Sequence, residues 1–289
     1  MSGGAVPFAV LASRLRASEK RILEALRRRG IAHRHLDSRE WWQQLGDRGP
    51  QPIVLNREIG LARATYAANA LEAVGATVVN SARATELCGD KWRTSAALVE
   101  AGLPTPRTAL GLTPEAALTA LESIGYPAVV KPLQGSWGRL VAALPDRQTA
   151  ETVLEYVAAL PAPQARIVYL QEWIAKPGRD IRVLVVGGEA LAASYRRSEH
   201  WRTNVARGAV SELCPLTPDI AKLAVMAAQA VEAEIAGVDL IEDETGEVLV
   251  LEVNHGVEFS GLQQAVGEAV SVADRIVDHL LEKARSCSE

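Results

Sequence analysis

Residues 237–254 read Gly-Val-Asp-Leu-Ile-Glu-Asp-Glu-Thr-Gly-Glu-Val-Leu-Val-Leu-Glu-Val-Asn. Two apolar runs, Val238–Ile241 and Val248–Val253, flank the turn Asp243-Glu244-Thr245-Gly246, which predicts two strands joined by a turn. Residues two apart on a strand point to the same side, so Glu252 and Asn254 share a face, and the hairpin-like layout brings Asp239 alongside. Two carboxylates and an amide oxygen form a hard, oxygen-only set suited to Mg²⁺. Solvated strand ends are the plainer alternative, and Glu242, Asp243, Glu244 and Glu247 in the turn fit that description. An acidic residue ending an apolar strand twice over favours a site.

Outward from this hairpin, the chain alternates strand and helix patterns. Val6–Ala12, Ile53–Leu55 and Thr77–Val79 are short apolar runs expected as buried strands. Between them lie two amphipathic helices, Ser18–Arg29, with Ser18 as N-cap and Gly30 as stop, and Leu61–Val74. This predicts a small open α/β sheet over residues 1 to about 85. Helices follow over Asp90–Ala101, from Thr113-Pro114-Glu115, over Thr217–Ile235 and over Val270–Ala284. Strands are expected at Ala128–Lys131, Arg139–Ala143, Arg166–Ile174, Ile181–Val186 and Glu189–Tyr195. The stretch 102–114 and Pro161-Ala162-Pro163 read as linkers. The expected fold class is α/β (α+β).

Four further segments carry chemistry-bearing residues. After the Val129-Val130-Lys131 strand comes Pro132-Leu133-Gln134-Gly135-Ser136-Trp137-Gly138-Arg139. Its glycines let backbone N–H groups approach phosphate oxygens, and the lysine supplies a point charge, although a plain hairpin turn has the same composition. It is neither GxxxxGK[ST] nor a GxGxxG opening a helix. Tyr169-Leu170-Gln171-Glu172-Trp173-Ile174 runs into Lys176-Pro177-Gly178-Arg179-Asp180-Ile181-Arg182, either a hinge whose backbone pairs with a base edge or an edge strand with its turn. Residues 195–208 hold four arginines with His200, Trp201 and Asn204; arginine forks suit phosphate or carboxylate, while a solvated loop is the plainer alternative, against which Trp201 and Val205 among the charges speak. His255 to Gln264 is a glycine-containing loop next to Asn254, a natural place for substrate selection. His255 is a candidate base there, or a histidine satisfied by a neighbour. No nucleophile signature is present.

Composition narrows the class. The 289 residues include 48% hydrophobic and 23% charged side chains, an ordinary globular mixture with few aromatics. A net charge of −4 argues against a general nucleic-acid binder. Cys88, Cys214 and Cys287 are too far apart for a CxxC clamp, and their sparse, odd number fits a reducing compartment. No run is long enough to span a membrane, and the first residues lack a basic-then-apolar leader, so a cytoplasmic protein is expected. The charge is unevenly distributed: residues 1–40 carry +5, residues 176–207 +4 and residues 208–289 −12. Such a chain can offer one face to an anionic ligand and hold cations elsewhere.

Gly89-Asp90-Lys91-Trp92-Arg93-Thr94, the Lys131 strand with its Gln134–Arg139 loop, Gln171-Glu172-Trp173-Ile174, Gly178-Arg179-Asp180-Ile181-Arg182 and Leu251-Glu252-Val253-Asn254 occur in the order of the ATP-grasp superfamily across nearly the whole chain. Jointly they are specific. Within it the sequence resembles the RimK-like branch, and more narrowly the LysX and ArgX types of amino-group-carrier-protein ligase in lysine and arginine biosynthesis. Gly135-Ser136-Trp137-Gly138-Arg139, Arg196-Arg197-Ser198 before His200-Trp201, Asn204 with Ala206-Arg207-Gly208, and Asn254-His255 before Glu258-Phe259 carry that narrower resemblance.

The resemblance implies an ATP-grasp fold preceded by a Rossmann-like open-sheet domain, with domains over 1–87, 88–170 and 171–289. It implies ATP and Mg²⁺ as cofactors, a small acidic LysW-like carrier protein and an acidic amino acid as partners, and a homo-oligomer (dimer or tetramer). By the same resemblance Lys91 and Lys131 hold ATP phosphates under a loop of Gln134, Gly135, Ser136, Trp137, Gly138, Arg139 and Leu140. Gln171, Glu172, Trp173 and Ile174 line the adenine pocket, largely through backbone groups, and Asp180 and Arg182 sit near ribose or substrate. Asp239, Glu252 and Asn254 hold Mg²⁺. Arg196, Asn204 and Arg207 face the reacting phosphate and carboxylate, and His255, Glu258, Phe259, Gly261 and Leu262 face the amino substrate. The implied reaction turns a carboxylate into an acyl phosphate that an α-amino group then displaces, with the Gly135–Gly138 loop as lid.

In aminoadipate-type ligases of this family the selecting pair is Asn followed by Thr or Ser; in the glutamate type it is Gly-Phe. Here Ser260 is followed by Gly261-Leu262, which is nearer the glutamate type. Glutamate or a close analogue is therefore the expected amino substrate, with 2-aminoadipate, a specialised-pathway carrier ligase or another RimK-like peptide or cofactor ligase as alternatives. A non-enzymatic nucleotide-binding module would not need the full metal triad and arginine cluster.

Overall fold

The computed structural model describes residues 8–46, 52–135, 138–198, 201 and 210–287. The N-terminal part runs β1 (Phe8–Leu11), α1 (Ala17–Arg28), β2 (His33–Leu36), β3 (Ile53–Asn56), α2 (Leu61–Ala73), β4 (Thr77–Val79) and α3 (Ala82–Gly89). Its four strands are parallel in the order β2-β1-β3-β4. β1 and β3 are buried along their whole length, which is why both read as unbroken apolar runs.

The start of α1 departs from expectation. Arg16, not Ser18, is the N-cap residue. Glu19 returns to the Arg16 N–H (3.0 Å), so the end is capped from the third helical position and the Ser18 hydroxyl is left for other work.

α4 (Lys91–Glu100) is capped by Asp90, whose Oδ1 accepts from Trp92 N at 3.0 Å and Arg93 N at 3.1 Å. The middle part comprises β5 (Thr108–Gly111), α5 (Pro114–Ile124), β6 (Ala128–Lys131), β7 (Ala142–Leu144), α6 (Arg147–Ala158) and β8 (Val168–Glu172). Its sheet has the order β5-β8-β6-β7, all antiparallel. β5 occupies part of the expected linker 102–114. The strand expected at Arg139–Ala143 starts later, because Gly138, Arg139 and Leu140 form a turn.

The third sheet contains β9 (Arg179–Val186), β10 (Glu189–Arg197), β11 (Val210–Cys214), β12 (Ile235–Glu242) and β13 (Val248–Asn254), in the order β11-β10-β9-β12-β13. Before β12, α7 (Pro218–Ala230) ends well short of the expected Ile235; Glu232, at φ 56°, turns the chain so that Ile235 begins a strand. The expected loop 255–264 contains a short helix, α8 (Ser260–Val266), and α9 (Val272–Ser286) closes the chain.

α9 packs against α1 and β3, so the end of the chain returns to its beginning. One buried cluster joins Phe8, Ile22 and Leu26 of the first part to Leu184, Phe259, Ile276 and Val277 of the last. Among the described residues no helix is long and apolar enough to cross a membrane.

Candidate functional site

A cavity of about 960 Å³ is lined by residues of the second and third sheets and by the segments that follow β1 and β3 of the first. Its floor is a charged row across the third sheet. Arg196 on β10 pairs in register with Asp180 on β9, Arg182 on β9 with Asp239 on β12, and Asp239 with Glu252 on β13. Asn254 stands two residues along β13, opposite Gly237. The triad inferred from strand periodicity is therefore assembled on one face.

The charges in this row are interlocked. Asp239 is 4% exposed; Arg182 donates to both its oxygens and Arg196 Nη2 lies 3.2 Å from Oδ2. Burial opposes its charge, but Arg182 and Arg196 hold the Asp239 carboxyl below its usual range. Arg196 Nε donates to Asp180 Oδ1 at 2.6 Å. Against the cost of burial, Asp239 and Asp180 push the Arg196 guanidinium further into its charged form. Asn254 Nδ2 lies 3.5 Å from Asp239 Oδ2.

Glu252 meets a different cation. Lys91 Nζ lies 3.6 Å from its Oε1 and donates to Gly135 O at 2.9 Å. The backbone N–H of Lys91 donates to Leu133 O at 2.9 Å, so the start of α4 and the loop after β6 are tied together. Lys131 Nζ donates to Gln171 Oε1 at 2.5 Å. Gln171 Nε2 donates to Tyr169 OH at 2.9 Å, and that hydroxyl meets Ser95 Oγ at 2.9 Å. Burial pushes the Lys131 ammonium down to about 8, with Lys91 and Lys176 adding to the shift and Glu252 opposing it.

The segment after β8 forms another wall with Glu172, Trp173, Ile174, Ala175 and Lys176. Two of its backbone donors are already engaged: Glu172 N donates to Arg107 O at 2.9 Å and Trp173 N to Pro127 O at 3.2 Å. Arg107 also binds the Glu172 carboxylate, with Nε 2.7 Å from Oε2. The Trp173 and Trp201 rings meet with centroids 5.0 Å apart. Lys176 is half-buried, which lowers its pKa, and lies 3.9 Å from Asp180.

In the glycine loop, Gly135, Gly138 and Arg139 reach the cavity, whereas Gln134 does not line it and Leu140 is 84% exposed. Ser136, Trp137, Asn204 and Arg207 lie outside the described residues. At the opposite end, His255, Gly256, Val257, Glu258, Gly261 and Leu262 line the cavity. Phe259 does not: it is fully buried in the cluster that joins the first and last parts of the chain. Gly237 has to be glycine, because a Cβ there would lie 2.6 Å from Val257 Cγ2 and 3.1 Å from Arg182 Nη1. Burial and the Arg57 charge push His255 down to about 4, so at neutral pH it is an uncharged imidazole and a weak base. Burial likewise pushes the Cys88 thiol far up, leaving it inert.

The periodicity reading missed the share of the segments that follow β1 and β3. Arg16, Glu58, Ile59 and Leu61 line the cavity beside residues 255–262. Burial disfavours the Glu58 charge, yet hydrogen bonds from Ser38, Gly60 and Ser13 hold its carboxyl at about 2. No local pattern announces these residues, because their meeting with the last segment is set only by packing.

Known proteins share this architecture. The description "RimK-like ATP-grasp domain" matches residues 88–280 and "LysX preATP-grasp domain" matches residues 8–87. The glutamate–LysW ligase ArgX of Sulfurisphaera tokodaii is 32% identical over 81% of this chain and 83% of its own. The α-aminoadipate–LysW ligase LysX of the same organism is 31% identical over 85% and 88%. A RimK domain ATP-grasp protein of Sphaerobacter thermophilus superposes with a TM-score of 0.78 at 26% identity, covering 95% of this chain and 99% of that one. With both family descriptions together spanning residues 8–280, the chain belongs to the RimK-like ATP-grasp family and carries the LysX-type preATP-grasp domain at its N-terminal end.

Proposed function

We propose that the chain is an ATP-dependent ligase that joins the α-amino group of glutamate, or a close analogue, to the C-terminal glutamate side chain of a small acidic LysW-like carrier protein. The observation that carries this reading is the single cavity in which the oxygen donors Asp239, Glu252 and Asn254 lie near Lys91 and Lys131, with residues 255–262 closing the far end. The named relatives that support it are carrier ligases of both the glutamate and the α-aminoadipate type. Their identities to this chain are nearly equal, so the choice of glutamate rests on Gly261-Leu262.

An oxygen-only donor set fits Mg²⁺, and Asp239, Glu252 and Asn254 would hold it. When bound, the ion offsets charge on phosphate oxygens. The proposed set has two carboxylates and one amide, that of Asn254.

The chain's own groups divide the remaining work. Lys91 and Lys131 bind the ATP phosphates. Arg182 and Arg196 fix the Asp239 carboxylate, and Arg196 fixes Asp180 as well, so the floor does not rearrange while charge moves above it. Trp173 and Ile174 offer an apolar wall to the base. The carrier's carboxylate attacks the γ-phosphorus and ADP leaves; the amine then attacks the acyl carbon and phosphate leaves as the nitrogen loses its proton. The Gly135–Gly138 loop excludes water from the acyl phosphate.

The test offers purified protein ATP, Mg²⁺ and an acidic carrier with glutamate or 2-aminoadipate in turn, and reads carrier mass and ADP. The expected result is a carrier mass gain with glutamate. If the carrier gains nothing with either, while free glutamate or a cofactor becomes ligated, the carrier reading is wrong.

A further inference from the structure

The wall at residues 255–259 is held from behind by side chains that never reach the cavity. Ser18, fully buried in the first turn of α1, donates its hydroxyl to Glu258 Oε1 and accepts from Phe259 N at 3.1 Å. Arg57, 1% exposed just beyond β3, donates through Nη2 to Val257 O at 2.7 Å. Asn80, just after β4, donates through Nδ2 to His255 O at 3.1 Å. Four of five consecutive residues are thus gripped by the first sheet and its helix, from partners at least 175 residues away in sequence.

The grip is itself rigid. Arg57 Nε and Nη2 lie 3.0 and 2.8 Å from Glu19 Oε1, while Arg16 Nε donates to Glu19 Oε2 at 3.0 Å. Glu19 is fully buried between the two guanidinium groups, so neither it nor Arg57 can swing away without leaving an uncompensated charge inside. On the loop, the Glu258 carboxylate also accepts from Ser260 Oγ at 2.6 Å and Ser260 N at 3.1 Å, at the start of α8. Glu258 is therefore clamped from both sides while still lining the cavity.

From this we infer that Ser18 and Arg57 are positioning residues for the amino-acid subsite: one end of the chain supplies the wall, and the other sets its shape. The inference rests on the proposed reading of residues 255–262 as that subsite. A wall held by three donors from the N-terminal part of the chain discriminates between dicarboxylic amino acids of different length because it cannot shift to admit the wrong one. Misplacement of such a wall weakens binding of one substrate and leaves the nucleotide contacts of Lys91 and Lys131 in place.

The experiment compares Ser18→Ala, Arg57→Lys and Glu258→Ala in the full chain. It measures KM for the amino acid, KM for ATP, kcat and the ratio of kcat/KM for glutamate to that for 2-aminoadipate. Thermal melting shows which variants are folded, and Arg57→Lys carries the test if Ser18→Ala does not fold. Expected for Ser18→Ala is a rise of about tenfold in amino-acid KM and a reduced selectivity ratio, with ATP KM within about twofold. The double variant Ser18→Ala, Glu258→Ala is expected to lose less than the two single variants added together, because Ser18 acts in part through that carboxylate. If Glu258→Ala raises the amino-acid KM while Ser18→Ala and Arg57→Lys do not, the positioning role is overturned and the subsite stands. If both KM values rise together, the effect is general loosening and the proposal fails. If even Glu258→Ala leaves the amino-acid KM unchanged, the subsite reading fails, and the positioning role with it.

Discussion

Asp239 on β12 and Glu252 on β13 face each other directly across an antiparallel pair, yet their carboxylates answer to different cations. Asp239 is sunk between Arg182 and Arg196, while Glu252, at the cavity edge, meets Lys91 at 3.6 Å. The two acids share a proposed task but are embedded differently, so their substitutions should separate stability from catalysis.

Asp239→Asn leaves the buried Arg196 and the half-buried Arg182 short of a countercharge and is expected to cost about 3 kcal/mol of stability. Glu252→Gln removes a partly exposed pairing and should cost no more than about 1 kcal/mol. Both should abolish ADP release in the presence of substrates. Urea unfolding and an ADP assay on the two variants check this, and full ADP release by Glu252→Gln would remove that residue from the reaction.

The Lys131 ammonium titrates near 8 because it is buried. It is charged below that pH and neutral above it, so phosphate affinity is lost as pH rises. In the wild type kcat/KM for ATP should fall above pH 8, by up to about tenfold per pH unit. Lys131→Arg, permanently charged, should lack that bend even if its activity is lower throughout. Linkage adds a second signature: the unfolded chain binds this proton more tightly than the folded one, so the ligand-free protein gains stability from Lys131 as pH rises from 8 toward 10.5.

Phe259 stands among the residues proposed to face substrate, but its ring is core. Phe259→Ala should lower stability by about 3–5 kcal/mol through the cavity it leaves. Denaturant midpoints would show this directly, and a variant of unchanged stability would contradict the packing.

Gly111 ends β5 against α5: a Cβ there would come within 2.6 Å of Ala117 Cα and N. Because the obstacle is backbone, Gly111→Ala should cost roughly 1–3 kcal/mol by forcing helix and strand apart. A melting temperature equal to wild type would show that the middle sheet is looser than its geometry implies.

Several elements were legible from local pattern. β1, β3 and β6 are continuous apolar runs, and Asp90 and Thr113 announce α4 and α5 as caps. The overlooked strands, β2, β5 and β11, all lie at sheet edges. An edge strand needs apolar character on fewer sides, so His33-Arg34-His35-Leu36 and Val210-Ser211-Glu212-Leu213-Cys214 show no run to detect. α8 was hidden behind its glycine, and α6 was capped by Asp146 without the N1 proline that marks α5.

The site divides along the same line. Asp239, Glu252 and Asn254 could be placed together from sequence because strand alternation and one short turn determine their mutual positions. Nothing local brings Ser18 to Glu258 or Arg57 to Val257; those contacts exist because α9 packs on α1 and carries the end of the chain back onto the first sheet. The same packing decides that Phe259 is core while its neighbour Glu258 faces the cavity. Covalent spacing within one hairpin determined the grouping of Asp239, Glu252 and Asn254, and burial of apolar surface between distant segments decided the wall that stands above it.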